Sequence, residues 1–130
     1  MGHSVETSWM SMDEALRTSN YSMFNDALIL GKDVMEMPWL ERDGQLGLVR
    51  YYWPDDANPM ERAPILEPYV MNEVWVMLLL GMEHSSETWL VDWFDKSFTY
   101  SYKTGKLVWP HGETLHLPRG LLFCIEFWIG

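Results

Sequence analysis

The residues of this chain best suited to hold an ion are His111, Glu113 and His116, which place two imidazoles and a carboxylate in one short segment. That is ligand chemistry for zinc or a similar metal, with His84 available as a further donor. The spacing works against it. On a strand His111 and Glu113 share a face while His116 points to the other, because side chains alternate. A helical zinc-protease site needs histidines one turn apart with glutamate next to the first, and Gly112 and Pro118 oppose a helix here. The expected role of the segment is polar turn and edge residues, with a metal site as the weaker alternative and no cofactor expected.

The segment loosely resembles the histidine-and-glutamate strands of cupin-type barrels, although the family's two closely placed histidines followed by a glutamate are missing. Paired carboxylates, Asp92 with Asp95 and Glu36 with Glu41, have the form of a general acid and base. With 19 acidic residues in 130, such pairs arise by chance, so solvated charge is the expectation. No nucleophile elbow, P-loop, dinucleotide glycine fingerprint or EF-hand loop occurs, and Gly44-x-x-Gly47 is too short to count. The lone Cys124 sits in an apolar run and reads as a small buried hydrophobe, with no internal disulfide and a reducing compartment implied. The chain is expected not to be an enzyme.

Binding chemistry is better represented. There are eight tryptophans, and this side chain either anchors a core or dominates the energy of an interface. Trp75 and Trp128 lie in the most apolar runs and are expected in the core. Trp39, Trp53 and Trp109 adjoin Pro38, Pro54 and Pro110 at the ends of expected strands, where a side chain can reach a partner. Tryptophan with carboxylates also suits a sugar cleft, against which stands the lack of an export signal in Met1 to Met12.

The net charge of −10 repels nucleic acid and anionic membranes and attracts basic partners. Four of the seven prolines fall in a loop from Pro54 to Pro68, which carries Asp55, Asp56, Glu61 and Glu67 against Arg62 alone. These acids, with Trp53, Trp39 and Trp109 as anchors, suit a domain that neutralises a basic protein such as a nuclease toxin, as immunity proteins and small phage inhibitors do. A homodimer through exposed tryptophans is a further possibility, and a small-ligand or metal-binding β-domain lined by His84, His111 and Glu113 is the alternative function. The longest strongly apolar stretch, Val74 to Met82, is too short to span a bilayer, so a cytoplasmic location is expected.

The elements that would position these residues are expected to form one α+β domain. Ser11 with Glu14 has the form of a capping box for a helix from Met12 to Ser19. Asn20 or Ser22 starts a second helix that ends at Leu30 before Gly31. Strands are then expected at Val34 to Leu40 and Leu46 to Trp53 around Asp43-Gly44, and at Tyr69 to Met82. Further strands are expected at Trp89 to Phe94, Phe98 to Tyr102, Lys106 to Trp109, Thr114 to Leu117 and Leu121 to Ile129. The two short helices would cover a mainly antiparallel sheet of about six to eight strands, with a partly closed β-barrel as the competing architecture.

Overall fold

The computed structural model describes residues 2–37, 39–42, 45–48 and 68–103, together with positions 122, 125, 126 and 129. Among them the chain is helical. Helices α1 (Gly2–Arg17) and α2 (Tyr21–Met35) form an antiparallel pair, and a hairpin of β1 (Trp39–Arg42) and β2 (Gln45–Leu48) follows. Helices α3 (Pro68–His84) and α4 (Thr88–Lys103) complete the described elements. The expected α+β sheet and its barrel alternative are both overturned: the strand pairing described is the single antiparallel hairpin, in register from Trp39 opposite Leu48 to Arg42 opposite Gln45.

Helix α3 explains the largest correction. Every residue from Met71 to Leu80 is buried, the pattern of a helix surrounded by its own protein. A continuous apolar run reads equally as a buried strand or a buried helix, and length decides between them. The 17-residue element is too long for an ordinary strand, and its Met and Leu residues are good helix formers.

Helix α4 replaces two expected strands. Leu90, Phe94 and Ser97 are buried while Val91, Asp92, Asp95 and Lys96 are exposed, a helical rather than an alternating repeat. At the far end, positions 122, 125, 126 and 129 are also helical, and Leu122, Ile125 and Ile129 are exposed, so the expected buried strand from Leu121 is not formed there. Strands expected at 106–109 and 114–117 lie outside the described residues.

The first two helices exist but differ in extent. Ser11 lies inside α1, whose inward stripe is Val5, Ser8, Trp9, Met12 and Ala15. That helix ends where Ser19 turns left-handed at φ 54°. Its carbonyls are closed by Asn20 N donating to Ala15 O at 2.8 Å and Ser19 N to Leu16 O at 3.1 Å, a Schellman arrangement. Asn20 then caps α2, its side chain accepting from Met23 N at 3.1 Å. Gly31 does not terminate α2 but is buried inside it, where a Cβ would stand 2.5 Å from Met77 Sδ and 2.8 Å from Ser8 Oγ. Its lack of a side chain lets α1, α2 and α3 meet, and Ser8 Oγ donates to Ala27 O at 2.7 Å across that contact.

The core runs from Val5 and Met12 through Phe24, Leu28 and Met35 to Val74, Met77, Leu78 and Leu90. Each fully buried side chain of this size contributes about 1.5–3 kcal/mol. Trp75 lies in this core as expected, its Nε1 donating to Ser97 Oγ at 3.1 Å, while Ser97 donates in turn to Trp93 O at 2.8 Å. No described helix is long and apolar enough to cross a membrane.

Candidate functional site

A groove of about 390 Å³ opens between α2 and the corner joining α3 to α4, lined by Asn25, Leu28, Ile29, Lys32, Glu87 and Trp89. Helical geometry sets its first wall, because Asn25, Ile29 and Lys32 recur at the spacing of one outward stripe of α2. Opposite them on the same helix, Phe24, Ala27, Leu28, Gly31 and Val34 face inward. The second wall depends on Gly81, where a Cβ would stand 2.8 Å from Leu90 Cδ2 and 3.2 Å from Leu28 Cδ1. That close approach draws the corner against α2, and Glu87 O accepts from Leu90 N at 3.3 Å as α4 begins.

The groove is apolar at its base and charged at its rim. Ile29 is 58% exposed although aliphatic, Leu28 is buried beneath it, and Trp89 is half-buried against the core. Asp26, Asp33 and Glu36 on α2 are exposed, as are Glu83, Glu87 and Asp92 at the corner and the start of α4. Lys32 is the cation among the lining residues.

Of the expected site residues, Trp39 and His84 are described, on β1 and at the end of α3. Trp39 is half-buried on β1: its Nε1 donates to Met35 O at 2.9 Å and its ring stacks on Trp93 at 4.4 Å between centroids. Lys96 Nζ lies 4.3 Å from the Trp93 ring centre. Trp39 thereby ties the hairpin to α4. His84 ends α3, exposed, with Nε2 3.7 Å from Glu83 Oε2 and its ring edge-on to Phe24 at 6.2 Å. Trp53, Asp55, Asp56, Glu61, Glu67, Trp109, His111, Glu113, His116, Cys124 and Trp128 lie outside the described residues. Among the described residues no three His, Cys, Asp or Glu gather to hold a metal ion.

The four carboxylates of the formal acid–base pairs are all exposed. Asp92 and Asp95 are both exposed on α4, and Glu36 closes the C-terminus of α2. Glu41 accepts from Tyr100 Oη at 2.6 Å, a bond that raises the phenol's pKa, with partial desolvation and the neighbouring negative charge adding to it. The groove residues Asn25, Ile29 and Lys32 escape a reading of α2 that follows its inward repeat of Phe24, Ala27, Leu28, Gly31 and Val34, and Trp89 escapes one that expects a strand from Trp89 to Phe94. The signal was present in the complementary stripe, where Ile29 breaks an otherwise polar face.

Compared with known proteins, the chain matches no family model, no curated protein and no solved structure.

Proposed function

We propose that this chain is an acidic, non-catalytic binding protein that neutralises a basic protein partner, in the manner of an immunity protein or a small phage inhibitor. The observation that carries this reading is where the acids stand. Among the described residues every Asp and Glu is exposed except Glu6, which is half-buried, and Glu73, which is buried. Asp26, Asp33, Glu36, Glu87, Asp92 and Asp95 have no side-chain hydrogen bond or ion pair among the described residues. Carboxylates left solvated in this way make a field that speeds encounter with a cation-rich surface.

The acids of the proline-rich segment, Asp55, Asp56, Glu61 and Glu67, add to that field, and Trp53 beside them supplies an aromatic anchor. The test is the kinetics of the full chain against a panel of basic proteins, secreted nucleases among them, at low and physiological salt. Support is a complex that inhibits the bound protein and whose on-rate falls steeply with salt while its off-rate barely moves. Equally weak retention of every basic protein, without inhibition, overturns the reading.

A further inference from the structure

Resting on that reading, we infer that the groove between α2 and the α3–α4 corner receives a basic amphipathic helix of the partner, its apolar ridge entering against Ile29 and its lysines or arginines meeting the surrounding carboxylates. The walls favour a helix. One is the outward stripe of α2 and the other the first turn of α4, and a third helix laid between two such ridges packs as helices do in a core. Ile29 supplies apolar surface that this fold leaves in water, with Trp89 beside it able to cover a larger side chain.

Charge selects the occupant. In the lining itself Glu87 stands against Lys32, and beyond it Glu36, one turn past Lys32, and Asp92, one turn past Trp89, continue the two walls as exposed acids without side-chain partners among the described residues. A second copy of the chain is the poorer occupant. An isologous contact would set each acidic rim against its equal, and each copy brings a net charge of −10. A helix with an apolar ridge flanked by cations relieves both the exposed isoleucine and the unpaired acids.

The probe is a synthetic peptide of about five helical turns with leucines along one face and lysines elsewhere. Its control is a scrambled peptide of identical composition, which keeps the charge and loses the apolar face. With the full chain, the amphipathic peptide should shift the NMR signals of Asn25, Ile29, Lys32 and the Trp89 indole, and the scramble should bind about tenfold more weakly. Ile29→Glu separates the groove from general acidity: it adds a negative charge yet should weaken the amphipathic peptide about tenfold.

Equal binding of the two peptides, an undiminished or higher affinity in Ile29→Glu, or shifts confined to another face would each overturn the inference. Self-association of the chain that Ile29→Glu abolishes would do so too, by putting a second copy in the groove. If the groove fails while a basic protein is still bound and inhibited, the broader reading stands without it.

Discussion

The Trp9 indole Nε1 donates a 2.6 Å hydrogen bond to Oε2 of Glu73, joining α1 to α3 inside the core. Both groups would be costly to bury alone, and each helps to satisfy the other. Trp9→Phe keeps most of the ring and removes the donor. It should lower stability by about 1.5–3 kcal/mol, the usual range for a bond to an acidic group. A chemical-denaturation midpoint unchanged from the parent would show that the bond contributes nothing.

One residue earlier in α3 the polar atoms are not satisfied. Asn72 is buried, and among the described residues neither its amide nitrogen nor its amide oxygen finds a partner. Replacing such a group by an apolar one of similar size removes a desolvation penalty, so Asn72→Leu should stabilise the fold by about 1–2 kcal/mol. Thermal melts compared with the parent decide it, and a lower melting temperature contradicts the account.

Gly31 is expected to resist even the smallest addition. Ala is the better helix former by about 1 kcal/mol, yet its methyl would meet Met77 and Ser8. Overpacking costs about 1–3 kcal/mol, so Gly31→Ala should be net neutral to destabilising. Adding Ser8→Ala should recover part of that loss, and a double-mutant cycle in urea would detect the coupling.

The turn between α1 and α2 concentrates two opposite outcomes. Ser19 holds φ 54° with a side chain that disfavours it, so Ser19→Gly should gain about 1 kcal/mol. Asn20→Ala removes the cap on Met23 N and should cost about 1 kcal/mol. Equal and same-signed effects on the unfolding midpoint would refute this division of roles.

Two exposed contacts should be visible by titration rather than by stability. Arg17 holds Glu14 below the usual carboxylate range, chiefly through hydrogen bonds at 2.6 and 2.7 Å. Whatever stability that pair adds is present above the unfolded carboxylate's pKa and is lost as pH falls through the folded one. In Arg17→Met the Glu14 midpoint should rise, and in Glu41→Gln the Tyr100 phenol should titrate lower than in the parent. Residue-specific NMR titration measures both.

Much of the local chemistry was legible in the sequence while the architecture was not. Asn20 as a cap and Trp75 in the core stand in the structure. A hairpin does form, but its first strand is Trp39–Arg42 rather than Val34 to Leu40, because Val34 and Met35 still belong to α2, and its second is Gln45–Leu48. The sheet failed on α3 and α4. Val74 and Val76 carry β-branched side chains in the unbroken apolar run from Val74 to Leu80, and such a run has no period to read. In α4 the aromatics Trp89, Trp93, Phe94 and Phe98 suggested strands, yet their spacing follows turns of a helix that presents Asp92 and Asp95 to solvent. The groove was hidden for a related reason: it combines residues distant in sequence, and only the meeting of Gly81 with Leu28 brings them together.

The burial of α3 on all sides also sets an order of events during synthesis. Residues of α1 and α2 such as Val5, Trp9, Met12 and Phe24 leave the ribosome long before Met71 to Leu80, the segment that they enclose. Until that segment arrives, the first helical pair has an inner face with nothing to cover it, and exposed apolar surface of this kind invites aggregation. The acids on the outer faces of that pair, Asp13, Glu14, Asp26 and Asp33, are already in place by then. They would keep nascent chains apart by mutual repulsion, so the same surface charge acts on the chain's own copies before the fold is complete.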